Sequence, residues 1–147
     1  MSAQENKVLV RQFLGAVIAA RDVSAADDLL SPEYTIHMPG LPQPVRGLGA
    51  WKELMGGYYA AFPDLEVGLE DEIADGDRVA IRYVWSGTHR GDFMGIPATG
   101  KTVSVLGTSV FRISEGLVAE EWHLDDLLGL MQQLGVMGQE RAAAPTR

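Results

Sequence analysis

Glu115-Gly116-Leu117-Val118-Ala119-Glu120-Glu121-Trp122-His123-Leu124-Asp125-Asp126 opens on a turn dipeptide, runs on as an extended segment, and stops where the apolar run Leu127-Leu128-Gly129-Leu130-Met131 begins. Side chains alternate across a strand. Val118, Glu120, Trp122, Leu124 and Asp126 therefore share one face, and Ala119, Glu121, His123 and Asp125 share the other. With the first face turned into a cavity, Asp126 ends an apolar wall. Burial there raises a carboxyl pKa and suits the group to proton transfer. On the same alternation His123 points outward, to a surface or an interface. The rest of the chain reads as the walls of that cavity.

Working back from this strand, residues 102–113, 78–87 and 65–74 also read as strands, with hairpin turns at Asp75-Gly76-Asp77 and Glu115-Gly116. Thr88-His89-Arg90-Gly91-Asp92-Phe93-Met94-Gly95-Ile96-Pro97-Ala98-Thr99-Gly100 is a glycine-rich connection. Upstream, residues 4–20 predict an amphipathic helix with Val8, Phe13, Leu14, Val17 and Ile18 on its apolar side. A short helix follows at 23–30, capped by Ser24, and Tyr34–Met38 is a short strand. Prolines and glycines make 39–47 a loop. A helix over 48–61 carries Trp51, Leu54, Met55, Tyr58 and Tyr59, and Phe62 lies just beyond it. Helices followed by an antiparallel meander is an α+β pattern, and a curled sheet under such helices leaves a cone-shaped interior.

The chain has 147 residues, which suits a single domain with a core at about 5–135 and a frayed tail at 138–147. A net charge of −8 argues against nucleic acid and anionic membrane surfaces as partners. The absence of cysteine removes disulfides, cysteine-ligated metals and thiol nucleophiles. The polar start lacks a signal-peptide core, and no apolar run reaches the ~20 residues of a membrane span, so a cytoplasmic location is expected.

The whole pattern resembles the nuclear-transport-factor-2-like, or ketosteroid-isomerase-like, cone fold. Within it the chain resembles the SnoaL-like polyketide cyclases, also called ester cyclases. The loop Gly87–Lys101 ending in Gly95-Ile96-Pro97-Ala98-Thr99-Gly100-Lys101 carries this resemblance, with Glu121–Asp126 and with Leu128-Gly129-Leu130-Met131-Gln132-Gln133-Leu134-Gly135. The fold it implies has three N-terminal helices over a strongly curved, mainly antiparallel sheet, with a short C-terminal helix. The activity it implies is cofactor-free intramolecular aldol cyclisation of an aromatic polyketide ester. It also implies a homodimer or higher homo-oligomer, a role in antibiotic biosynthesis, and one aspartate as acid and base. The matching position is Asp126, four residues after Trp122. Val103, Val105 and Phe111 are an outward set able to meet another subunit.

Three kinds of site residue follow. Asp126 is the candidate acid/base; its other reading, shared with Asp125, is the N-cap of the helix from Leu127. His37 and His89 are candidates to steady a substrate oxygen, His37 alternatively being satisfied by backbone and His89 pinning its loop. Trp122, Met94, Phe93, Trp51, Tyr58 and Phe62 are candidates to line a pocket for a small hydrophobic or aromatic substrate. Tyr83 and Trp85 read as ordinary core. The histidines lack the spacing of metal ligands, so no metal is expected.

Two other functions fit the same residues. One is a cone-fold hydrolase or dehydratase on a small hydrophobic substrate; an epoxide-opening form would need an Asp–Arg–Asp set, for which Arg82 with Asp125 and Asp126 is the available combination. A non-catalytic carrier would use the pocket alone.

Overall fold

The computed structural model describes residues 1–137; the tail at 138–147 lies outside the described residues. Helix α1, Ala3–Gln12, starts at a capping box: Glu5 N–H donates to Ser2 Oγ (3.1 Å) and Ser2 N–H to Glu5 Oε1 (2.9 Å). The helix then widens into a π-helical stretch, Phe13–Ala19, within the span expected to be one regular helix. Leu9, Val10, Phe13, Val17 and Ile18 form its buried side, and Val8 faces solvent. A 3₁₀ turn, Val23–Ala25, and α2, Ala26–Leu29, lead into β1, Leu30–His37. The two-residue β2, Val45–Arg46, precedes α3, Leu48–Ala61. Strands β3 (Glu66–Asp75), β4 (Arg78–Thr88), β5 (Thr102–Ser114) and β6 (Leu117–Asp125) follow, then α4, Leu127–Leu134.

The strands form one curved, six-stranded open sheet in the order β2-β1-β6-β5-β4-β3, antiparallel except where β1 runs parallel to β6. This is the expected cone fold, with β1 longer than its sequence suggested. Glu115 and Gly116 both take positive φ (51° and 77°) at the β5–β6 turn, the twist that a two-residue hairpin requires. The edge strand β3 is studded with acidic residues, which discourage pairing with another chain.

Helices and sheet meet in a layer of aromatics. Phe13 packs against Trp51 (5.7 Å between rings), Tyr34 against Trp51 (6.0 Å), and Phe62 against Trp85 (5.0 Å). Val103, Val105 and Phe111 belong to this interior, each 1% exposed, and not to the outer face. The outward set on β5 is Thr102, Ser104, Leu106 and Thr108. Among the described residues no helix is long and apolar enough to cross a membrane.

One irregularity decides the site. Along β5 and β6, Ile113 pairs with Val118, but the next residue back, Arg112, pairs with Glu120. Ala119 is an extra residue, a β-bulge. Val118 points inward before the bulge, and Glu121 and Asp125 are buried after it, with His123 between them. Counting alternate residues from Val118 without a bulge therefore assigned the wrong face to every later side chain.

Candidate functional site

Beneath the helices lies a cavity of about 100 Å³, walled mostly by apolar groups from the π-helical stretch, α3 and the sheet. Phe13, Trp51, Tyr58, Ile81 and Phe111 contribute to the apolar part. Its polar part comes from β4, β5 and β6: Tyr83, Trp85, Ser109, Glu121, His123 and Asp125. A cavity so apolar isolates these few polar groups from water and strengthens their mutual interactions.

The His123 imidazole lies between two carboxylates. Its Nε2 is 3.1 Å from Asp125 Oδ2, and its Nδ1 is 3.2 Å from Glu121 Oε2. Each carboxylate has further donors. The Tyr83 hydroxyl donates to Asp125 Oδ1 (2.6 Å) and the Trp85 indole N–H to Asp125 Oδ2 (3.0 Å). Ser109 Oγ–H donates to Glu121 Oε2 (2.7 Å), and the Tyr34 hydroxyl to Glu121 Oε1. Tyr83 and Trp85 thus hold the Asp125 carboxylate in place.

The charges follow from this arrangement. Burial opposes a charged His123, but contact with Asp125 and Glu121 outweighs it and pushes the pKa up to about 10. Burial would likewise raise Asp125, yet contact with His123, Tyr83 and Trp85 holds its carboxyl below the usual range. Burial, then the neighbouring carboxylates, keep the Tyr34 and Tyr83 phenols protonated well above their ordinary pKa. At neutral pH the site holds a His123 imidazolium against the Asp125 carboxylate, with Glu121 on the other side of the ring and neutral phenols around them. Such a set can accept a proton at one atom and deliver one at another.

The glycine at 107 makes this packing feasible. A Cβ there would lie 2.6 Å from Tyr83 Oη and would collide with Asp125 Oδ1. Only a residue without a side chain lets the Tyr83–Asp125 pair cross β5 at this point.

The residues anticipated from sequence divide sharply. Trp51 and Tyr58 line the cavity. Asp126 does not: it is exposed, and its Oδ1 accepts the Gly129 N–H (2.9 Å) as the N-cap of α4. The carboxylate placed in the cavity by β6 is Asp125. Trp122 lies on the outer face of the sheet, stacked on His37 (5.3 Å, 7°) and covered by the Arg78 guanidinium (4.8 Å). His37 faces outward with it and meets Glu120 Oε2 at 2.6 Å, so it does not line the cavity.

His89 is fully buried beside Phe62 and away from the cavity lining. Its Nδ1 accepts the Thr99 N–H (3.2 Å), and its backbone bonds to Lys101 and Gly100 close the base of the loop. Phe93 and Phe62 are buried behind Tyr58 and Trp85, and Met94 is 64% exposed at the loop tip. Met94 lies outside because Phe93 and Ile96 bond to each other across a tight turn at Met94-Gly95.

Sequence reasoning passed over Glu121, His123, Tyr83 and Trp85. The clue available was that Glu121, His123 and Asp125 repeat at strand spacing, as Tyr83 and Trp85 do on β4, two strands away. Arg82, the arginine that an epoxide-opening set would need, is exposed and bonded to Asp71 through Nε (2.9 Å) and Nη2 (2.7 Å).

A model of the SnoaL-like polyketide cyclase family matches residues 8–134. No curated protein matches the chain at a significant level. Among solved structures, the chain is similar to a protein from Jannaschia sp. CCS1 named for the SnoaL-like polyketide cyclases, at 24% identity and a TM-score of 0.85, over 92% of this chain and 95% of that one. It is similar to TsrD from Streptomyces laurentii at 33% identity and a TM-score of 0.82, over 93% and 99% of the two chains. It is also similar to AclR from Streptomyces galilaeus, named as a hydroxylase candidate, at 31% identity and a TM-score of 0.81, over 93% and 100%.

Proposed function

The chain belongs to the SnoaL-like polyketide cyclase family, and we propose that it acts as a cofactor-independent acid/base catalyst of intramolecular aldol ring closure, with Asp125 and His123 as the proton-transferring pair. The observation that carries this reading is the His123 imidazole set between the Asp125 and Glu121 carboxylates at the polar end of an apolar cavity.

The steps balance. A methine between two carbonyls is already acidic, and the Asp125 carboxylate takes its proton. The electron pair left on carbon forms the new bond to the ketone carbon. The ketone's π electrons move to its oxygen, which takes a proton from the His123 imidazolium. The proton on Asp125 then passes to His123, 3.1 Å away, and restores the pair. Apolar walls from Trp51, Phe111 and Ile81 hold the reacting carbons together, and such positioning supplies a large part of the rate.

The cavity, at about 100 Å³, is smaller than the roughly 300–1,000 Å³ of typical ligand pockets. It suits a single ring carrying the reactive dicarbonyl. Epoxide hydrolysis fits less well, because Arg82 pairs with Asp71 on the outer surface.

The test is proton exchange. Methyl 2-oxocyclopentane-1-carboxylate, a one-ring β-keto ester, is followed by proton NMR in deuterated buffer at pH 5, where uncatalysed exchange is slow. The protein is expected to accelerate loss of the methine signal, and Asp125→Asn to remove the acceleration. Binding without any acceleration would instead identify a carrier.

A further inference from the structure

Of the chain's 4 tyrosines, three use their hydroxyls internally. Tyr34 donates to Glu121, Tyr83 to Asp125 (2.6 Å), and Tyr59 to the Val17 carbonyl (3.1 Å). Tyr58 is the exception. Its ring is fixed edge-on against Trp85 (6.1 Å) and Phe93 (5.3 Å), and it lines the cavity that Glu121 and Asp125 also line. Among the described residues its hydroxyl has no acceptor, nor is its oxygen one of the sealed, unpartnered atoms of the interior. Tyr58 lines the same cavity as Glu121, His123 and Asp125, the space a ligand would fill.

We propose that Tyr58 is a catalytic residue: its hydroxyl donates to the carbonyl oxygen next to the carbon that loses its proton, and stabilises the enolate there. The proposal rests on the acid/base reading above and gives a donor to an enolate oxygen, the oxygen of the acceptor ketone being served by His123. Three features support it. The donor is neutral and fixed, since α3 sets the backbone and two aromatic edges set the ring. It sits in apolar surroundings, where a hydrogen bond to a developing negative charge is strongest. It also lines the same cavity as the base without being bonded to it. Burial first, then the charges of Asp125 and Glu121, raise the Tyr58 pKa, so the phenol keeps its proton throughout the neutral range. A donor that stays protonated beside two carboxylates can bond an enolate oxygen without surrendering its own proton.

Tyr58→Phe deletes the hydroxyl and keeps the ring contacts, so the fold should be unchanged by circular dichroism and thermal melting. Two readouts follow, both with methyl 2-oxocyclopentane-1-carboxylate carrying carbon-13 at the ketone. In the exchange assay Tyr58→Phe is expected to lower the maximal rate roughly 10²- to 10³-fold, as loss of an oxyanion donor does, with a much smaller effect on the half-saturating concentration. In isotope-edited infrared spectra the ketone band of the bound probe is expected to lie at lower frequency in the native protein than in Tyr58→Phe. A native protein that shows the Tyr58-dependent band but no exchange overturns the acid/base reading and with it the catalytic role, leaving Tyr58 as a hydrogen-bond donor to a bound carbonyl. A band and rate indifferent to Tyr58→Phe, or no Tyr58-dependent band at any probe concentration, overturns the assignment.

Discussion

Val118 and Glu121 lie three positions apart on β6, yet both side chains point into the interior. A regular strand forbids this, and the extra residue at Ala119 allows it. The bulge turns Glu121, His123 and Asp125 toward the helices and leaves Trp122 on the outside, so the lining of the cavity depends on one extra residue, Ala119.

The two adjacent aspartates should separate cleanly. Asp125→Asn is expected to lower exchange of the β-keto ester by at least about 100-fold, the scale of a positioned acid/base group. Asp126→Ala is expected to leave exchange intact and to destabilise the fold by about 1 kcal/mol, the usual cost of losing an N-cap side chain. Rate and urea unfolding measured on both variants decide the matter; the reverse pattern would restore Asp126 as the working group.

Stability should fall in alkali because of His123. Its folded pKa of about 10 lies above the ordinary histidine value of about 6.5, so the charged form stabilises the fold. That stabilisation is complete below about pH 6.5 and is lost as pH rises toward 10, with a slope of at most about 1.4 kcal/mol per pH unit. Asp125 has the opposite sign. Its depressed pKa stabilises the fold above the usual carboxylate value and stops doing so as pH falls through the folded value. Urea unfolding at pH 6, 8 and 10 should show the alkaline decline in the native protein and a much flatter profile in His123→Gln.

Gly107→Ala is expected to damage the site without touching the ligand. The added methyl group would push apart Tyr83 and Asp125, whose hydroxyl–carboxylate bond crosses this position. Overpacking of this kind costs roughly 1–3 kcal/mol. The specific readout is the His123 ring in proton–nitrogen spectra: displacement of Asp125 should lower its titration midpoint. A variant with the native midpoint would show that the pair tolerates the methyl group.

Arg82→Gln should be nearly silent. The Arg82–Asp71 pair is exposed on both sides, and such pairs contribute about 0–1 kcal/mol. Exchange of the β-keto ester should match that of the native protein, and neither protein should hydrolyse a small epoxide such as styrene oxide. Epoxide turnover lost with Arg82 would contradict the outward placement of its guanidinium.

Much of the architecture was legible in the chain. Apolar spacing marked α3 and the long strands, Glu115-Gly116 marked a hairpin, and the Gly-Ile-Pro-x-Thr-Gly-Lys loop with the Trp-containing strand marked the family. Local signals of this kind survive because turn chemistry and hydrophobic period act over a few residues. Trp51 and Tyr58, which line the cavity, were singled out for the same reason, since they lie on the apolar stripe of a regular helix. What the chain alone could not settle was which side of β6 faces inward. Strand alternation has a period of two, so one extra residue exchanges the two faces beyond it. Whether Ala119 is such a residue depends on how Arg112 and Ile113 pair across β5, a contact between strands. Sequence therefore determined the elements and the family, and tertiary pairing decided that Asp125, and not Asp126, enters the cavity.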